Sequence, residues 1–206
     1  MDSYENIVRL SGEIKTNFEF CQEERGEKLY SFELAVKKSN GKYDMLPILI
    51  SEKMVNITKH LVGQYVEIEG RIRSYGPKSK MEKKLYVFVE YLKVTERNQY
   101  VEDVNEVILV GNLCNQPIVR DITVGNRKKQ KVTNIKLSSL RRRWKFDYIY
   151  ASVFGYEAIM ISQIEAGKLI HVLGRLQSRN NYIKLEDGSQ RKHTVYDVLA
   201  DVVAVD

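Results

Sequence analysis

The sequence predicts an all-β protein built from two similar domains in tandem, with one short helix in each. Three observations predict it. Segments of the first half recur about 100 residues later, apolar residues alternate with polar ones at the two-residue period of a strand, and a single stretch in each half has helical spacing.

The repeat sets the domains. Asn6-Ile7-Val8-Arg9-Leu10-Ser11-Gly12 parallels Asn105-Glu106-Val107-Ile108-Leu109-Val110-Gly111, an offset of 99. Phe32-Glu33-Leu34 parallels Ile135-Lys136-Leu137, and Tyr43-Asp44 parallels Phe146-Asp147, both at 103. Gly63 matches Gly167, and Gly70-Arg71-Ile72 matches Gly174-Arg175-Leu176, both at 104. An offset that drifts by a few residues is what small loop changes produce. The domains are therefore 1–98 and 105–206, joined by the short polar stretch Glu96 to Val104.

In the first domain Phe32-Leu34-Val36 alternates, Pro47-Ile48-Leu49-Ile50 reads as a buried run, and Tyr65 to Glu69 alternates again. Val87 and Val89 continue the pattern. Between the early and late strands, Ser51 is placed to cap a helix over residues 52–61. Met54, Ile57 and Leu61 have helical spacing there, and Gly63 sits where the helix would stop. The second domain repeats this order: Ala158, Ile159, Ile161, Ser162 and Ile164 precede Gly167, and Lys168 to Leu173 reads as the next strand. Gly174 reads as a strand kink. Three strands, a helix and two strands is the layout of the OB-fold, so the sequence predicts two tandem five-stranded Greek-key barrels. Folds of this kind host many functions, so the function has to be read from the site.

Composition excludes several classes. The 206 residues are 43% hydrophobic and 29% charged, as in an ordinary globular protein. No apolar run approaches the roughly 18 residues of a membrane span, and Met1 to Arg9 is polar, without the pattern of a secretory signal. Cys21 and Cys114, one in each half, support no disulfide framework or cysteine zinc site. These features predict a cytoplasmic protein with no membrane partner.

Charge is distributed unevenly. Residues 1–104 hold 17 Lys+Arg and 17 Asp+Glu, whereas 105–206 hold 16 and 10, so the whole excess of +6 lies in the second domain. Residues 120–145 alone carry ten cations against Asp121. Such a run is either a solvated basic hairpin or a footprint for a polyanion.

Beside this run lies an aromatic stripe. Every second residue from 144 reads Trp144, Phe146, Tyr148, Tyr150, Ser152, Phe154, Tyr156. In one strand these side chains share a face, while the intervening Ile149, Ala151 and Val153 suit a tight barrel interior. The natural orientation puts the aliphatics inside and the rings outside; a bulge would reverse it. Exposed rings next to Lys and Arg suit unpaired bases, which stack for about 1–3 kcal/mol each while the cations follow the phosphates.

The second domain resembles the bacterial single-stranded DNA-binding protein family. The matching stretches are Asn105 to Leu113, Gln116 to Arg120, Asn134 to Leu137, Val153-Phe154-Gly155, Gly174 to Arg179, Asp187 to Arg191, Thr194-Val195 and Val198 to Asp201, in order and correctly spaced. The first domain resembles it mainly through Asn6–Gly12 and Gly70–Ile72. The resemblance implies an OB-fold, no enzymatic activity, no cofactor, single-stranded DNA as partner in replication, recombination or repair, and a nucleoid-associated location. Because the family wraps DNA around four OB domains, it also implies a homodimer of two-domain chains. Carried over by position, the stacking residues are Trp144, Tyr148, Phe154 and Tyr182, the hairpin positions being matched one residue away; the stripe adds Phe146 and Tyr150. Phosphate contacts fall to Lys128, Lys129, Arg141, Arg142, Arg143, Arg175 and Arg179.

The first domain departs from this pattern. The positions of Phe146, Tyr148, Tyr150 and Phe154 are held there by Tyr43, Met45, Pro47 and Ser51, and the loop matching 120–131 contains Glu19, Glu23, Glu24 and Glu27. Its late hairpin, with Tyr75, Lys78, Lys80, Lys83 and Lys84, is its remaining candidate surface for DNA, and a role in assembly or with a protein partner is its other reading. The family's glycine-rich, acid-tipped tail has no counterpart before Ala204-Val205-Asp206. That implies an accessory or mobile-element role, or one resembling primosomal replication protein N.

Catalysis finds no constellation. His60, His171 and His193 stand apart from one another and from paired carboxylates, and no phosphate-binding or dinucleotide fingerprint occurs. The readings that remain are single-stranded DNA binding, a primosome-type scaffold in which DNA contact is secondary, and RNA binding.

Overall fold

The computed structural model describes residues 5–75, 84–98, 102–124, 128–142, 144–184 and 189–206. The first barrel is formed by β1 (Asn6–Ile14), β2 (Glu19–Glu24), β3 (Glu27–Lys37), β4 (Tyr43–Ser51), β5 (Tyr65–Tyr75) and β6 (Lys84–Thr95). The second is formed by β7 (Asn105–Leu113), β8 (Val119–Val124), β9 (Lys128–Arg142), β10 (Lys145–Phe154), α1 (Gly155–Ser162), β11 (Leu169–Lys184) and β12 (Gln190–Val205).

Five strands close each barrel. The first runs β1-β3-β4-β6-β5 and back to β1, and the second runs β7-β9-β10-β12-β11 and back to β7. The pairs are antiparallel except β4–β6 and β10–β12, which are parallel. Short contacts complete the closure, Ile14 opposite Leu34 in one barrel and Leu113 opposite Leu137 in the other. This is the OB-fold. The additional strands β2 and β8 extend β3 and β9 as hairpins.

Alternation fills each barrel. Leu10, Leu34, Ile48, Ile68 and Val87 lie in the first, and Leu109, Leu137, Ile149, Val172 and Val198 in the second, all nearly or fully buried. Each such side chain stabilises the fold by about 1.5–3 kcal/mol through removal from water. The repeated glycines have a packing cause. A Cβ at Gly70 would meet the Phe88 carbonyl oxygen at 2.2 Å, and one at Gly174 the Leu199 oxygen at 2.2 Å. Both glycines stand beside a register shift, so the expected kink at Gly174 is a bulge that lets two backbones touch.

The helices differ between the halves. In the second barrel α1 forms, burying Ala158 and Ile161, and Thr133 Oγ1 donates to the Ala158 carbonyl at 2.7 Å. In the first, the helix expected over 52–61 is absent, and successive turns take its place. Local side-chain bonds compete for the backbone there. Ser51 Oγ accepts from Lys53 N–H at 3.1 Å, and Asn56 Oδ1 accepts from both the N–H and the hydroxyl of Thr58. With β-branched Val55, Ile57 and Thr58 alongside, turns win over a helix.

The barrels share one continuous sheet because β1 pairs antiparallel with β7, Ile7 opposite Ile108 and Val8 opposite Val107. Paired polar anchors flank this seam. Asn6 exchanges two 2.9 Å hydrogen bonds with the Ile72 backbone, and Asn105 does the same with Leu176. Asp147 accepts from Ser74 N–H at 2.7 Å, and Asp44 from Ser178 N–H at 2.7 Å. The joining segment is also fixed. The buried Asp103 carboxylate accepts from Lys37 N–H at 2.7 Å and from the Tyr65 hydroxyl at 3.0 Å.

Candidate nucleic-acid interface

The face of interest is the outside of β10. Ile149, Ala151 and Val153 are buried inside the barrel, while Phe146, Tyr148 and Tyr150 are exposed at 39%, 36% and 49%. Barrel interiors this narrow accept small branched side chains, so the rings have only the outer face to occupy. The row departs from the stripe at both ends. Trp144 sits in the turn before β10 with φ +64°, 84% exposed, and so caps the hairpin tip. Gly155 turns the chain with φ +70° into α1, which carries Tyr156 off the face, while Phe154, half-buried, closes β10. Ser152 is buried because its hydroxyl donates to Asp197 at 2.6 Å.

Cations interleave with the rings. Lys136 lies opposite Tyr150 on β9, its ammonium 5.0 Å from the Tyr148 ring centre and 5.7 Å from that of Tyr150. Lys136 falls within the basic run of residues 120–145, where nothing in the sequence alone distinguishes it. The signal was available in the strand pairing, since alternate residues of β9 face alternate residues of β10. Arg179 reaches the same face from β11, pairing with Asp197 at 2.5 Å beside Ser152. Tyr182, 65% exposed, stands farther out on the β11–β12 ribbon opposite Lys192.

The remaining expected phosphate ligands divide. Lys129 is exposed on β9. Arg175 pairs with Asp201 at 3.2 Å, half-exposed. Arg143 and the Lys128 side chain lie outside the described residues. Arg141 is not available to a phosphate on this face. Its side chain is only 7% exposed, and its guanidinium grips Asp147 from two nitrogens while donating to the Ser74 carbonyl at 3.2 Å. Burial favours the neutral form, yet the Asp147 bond and charge hold the Arg141 pKa above its ordinary value.

An acid from the first barrel also reaches this edge. Glu24 Oε1 accepts from Lys145 Nζ at 2.9 Å and lies 3.7 Å from Arg142, while the Tyr75 hydroxyl donates to Oε2 at 3.1 Å. Burial pushes the Glu24 carboxyl up, but the Lys145 bond and charge outweigh it and leave its pKa lowered.

The corresponding face of the first barrel is closed. Leu29, Leu49 and Tyr86 form a second small core outside the barrel, with Cys21, Tyr75 and Phe88 packed against it. Bases have no ring to stack on at Pro47 or Leu49, both buried. Of its late hairpin, Tyr75 is covered by the Arg141 guanidinium, 4.6 Å from its ring, and Lys84 lies 5.3 Å from the Tyr86 ring. Lys78, Lys80 and Lys83 lie outside the described residues. Among the described residues no cluster of His, Cys, Asp and Glu could hold a metal ion, and no helix is long and apolar enough to cross a membrane.

Comparison with known proteins places this geometry. Residues 104–206, half of the chain, match the single-strand binding protein family. Two solved structures of the single-stranded DNA-binding protein from Thermus aquaticus are similar over nearly the whole chain. The wild type has a TM-score of 0.70 at 19% identity, covering 98% of this chain and 93% of that one. A deletion variant has a TM-score of 0.67 at 19% identity, covering 98% and 94%. The dimeric N-terminal domain of PriB from Thermoanaerobacter tencongensis is 37% identical over 45% of this chain and 98% of that one, with a TM-score of 0.40. No curated protein sequence matches the chain.

Proposed function

This chain belongs to the single-strand binding protein family, and from that premise we propose that it binds single-stranded DNA without catalysis, through the outer face of the second barrel. The observation that carries the reading is the row Phe146, Tyr148 and Tyr150, turned outward with Lys136 between the rings. Bases stack on the row, on Trp144 at the tip, and on Phe154 and Tyr182 at its ends. Lys129, Lys136, Arg142 and Arg179 follow the phosphates, with Arg175, Lys128 and Arg143 beside them. Stacking on rings and charge contact with phosphates read no sequence, so binding is sequence-tolerant and weakens with salt. Such binding serves replication, recombination or repair in the cytoplasm, at the nucleoid.

A second copy of the chain is the proposed partner. Ile7, Ile108, Leu173 and Val202 lie opposite one another across β1, β7, β11 and β12, an apolar row spanning the seam. Leu173 and Val202 are about half exposed. Ion pairs of Arg9 with Glu69 and Glu106, and of Arg175 with Asp201, border the row. An apolar centre with a charged rim is the anatomy of an interface, and pairing two copies here brings four OB barrels together. The closed face of the first barrel favours an assembly role for that half, the part of the scaffold reading that a specific observation supports.

Trp144 is the sole tryptophan, and its fluorescence tests the reading. Titration with oligo-dT should quench it, with an affinity that falls as salt rises. Absence of both quenching and affinity would overturn the proposal. Preference for RNA of the same sequence would move it to the RNA reading.

A further inference from the structure

We infer that the cleft between the two barrels, below the Trp144 hairpin, is a binding site for a phosphate group. The cleft has a volume of about 260 Å³ and is lined by Arg25, Arg73, Arg141 and Arg142, with Glu24 and Glu27. Two of these arginines hold donors with nothing to donate to. Arg73 Nε and Arg141 Nη1 are both buried and both lack a hydrogen-bond partner. Burying an N–H without an acceptor is costly enough that buried donors are almost always satisfied. Both side chains, one from each barrel, line this cleft and the neighbouring one bordered by Asn6, Arg71, Glu90 and Asp147, so an acceptor entering between the barrels would meet both guanidinium groups.

The chemistry of that acceptor follows from its surroundings. Arg141 already spends Nε and Nη2 on Asp147, which leaves Nη1. Arg73 lies flat on the Phe88 ring, its guanidinium carbon 3.4 Å from the ring centre, and its Nη1 is 3.4 Å from the Tyr75 hydroxyl. Stacking leaves the edge of a guanidinium free to bind, and the edge that includes Nε forks onto two oxygens of one phosphate. Of the acids in the cleft, Glu24 is held by Lys145 and Tyr75 and lies 3.7 Å from Arg142, and Glu27 is held by Ser51 and Lys53, so Arg25 and Arg73 take no share of either. Among the described residues no carboxylate pairs with Arg25 or Arg73. A compact anion with several oxygens meets these donors, whereas a neutral ligand would leave the excess charge uncompensated.

Two sources supply such a group: a phosphodiester of a bound strand, or free phosphate. The first rests on the proposed function, because a strand leaving Trp144 passes Arg142 at the mouth of the cleft and is led toward the first barrel. The test follows the side-chain Nε–H resonance of Arg73 in the full chain, assigned by its loss in Arg73→Gln. Inorganic phosphate should shift it saturably, and chloride at equal ionic strength should not. A shift by oligo-dT as well assigns the site to the strand. In that case Arg73→Gln should make the logarithmic salt dependence of oligo-dT affinity shallower by about one unit, with Trp144 still quenched. Arg73→Lys, which keeps the charge but lacks the fork, should retain the melting temperature of the wild type without phosphate and should lose the rise in melting temperature that phosphate gives the wild type. A resonance that neither phosphate nor oligo-dT moves overturns the site. If oligo-dT still quenches Trp144 in that sample, only this inference has failed; if quenching is absent too, the DNA-binding reading fails with it.

Discussion

Asp147 of the second barrel accepts a hydrogen bond from the backbone N–H of Ser74 in the first at 2.7 Å. The repeat makes the same bond in the opposite direction, Asp44 to Ser178, also at 2.7 Å. Each aspartate is covered by a cation 103 residues apart in sequence, Arg141 for Asp147 and Lys38 for Asp44, so the two halves lock each other through the same device.

The two locks are unequal, and that gives the first prediction. The Arg141 side chain is 7% exposed and that of Lys38 is 32% exposed. Asp147→Ala leaves a buried guanidinium unpaired and should cost about 3–5 kcal/mol. Asp44→Ala frees an ammonium that water can reach, and should cost about 1–3 kcal/mol, mainly for the orphaned Ser178 N–H. Urea unfolding of both variants checks this, and equal losses would contradict it.

Stability and binding should separate along β10. Ile149 is fully buried and Tyr148 is 36% exposed, one residue apart. Ile149→Ala should cost about 2–5 kcal/mol of stability through lost burial and a cavity. Tyr148→Ala should cost less stability than Ile149→Ala, because its ring is partly exposed, and should weaken oligo-dT binding by about 1–3 kcal/mol. Paired melting and binding curves decide it.

The Glu24 contact should be sensitive to acid. A carboxylate whose folded pKa lies below its ordinary value of 4.5 stabilises the fold above that value. The contribution is lost as pH falls through the lower folded value. The stability difference between wild type and Glu24→Gln should therefore be present at pH 7 and shrink in the acid range below 4.5. The same variant releases Lys145 and Arg142 and should bind oligo-dT more tightly at pH 7. A difference that grows on acidification would overturn the assignment.

Much of this was legible in the sequence because periodicity and repetition are local signals. The alternation of Ile149, Ala151 and Val153 with the rings favoured the orientation that β10 adopts, and the 99–104 offset exposed two barrels with their shared glycines. What escaped depends on contacts between distant segments. Nothing near Arg141 in the sequence announces Ser74, so its part as an interbarrel anchor could not be read there. Lys136 needed the β9–β10 register to find its rings. The failed helix after Ser51 shows the reverse, apolar spacing overridden by Asn56 and Ser51 bonding to their own backbone.

Association should depend on the apolar row across the seam. Leu173→Glu places a charge at an exposed position, so the fold should survive while the proposed dimer does not. Sedimentation should give the wild type twice the mass of the variant. A wild type that sediments as one chain would remove the four-barrel arrangement.

The last prediction concerns the cost of presenting Trp144. A non-glycine residue at φ +64° is strained by about 1–2 kcal/mol. With the ring 84% exposed, burial offsets little of it. Trp144→Gly relieves the strain, and although glycine loses more entropy on folding, the variant should be as stable as the wild type or up to about 1 kcal/mol more stable. It should nevertheless bind oligo-dT about 1–3 kcal/mol more weakly. A glycine variant that gained stability and kept full affinity would show that the turn, and not a base, dictates the position of Trp144.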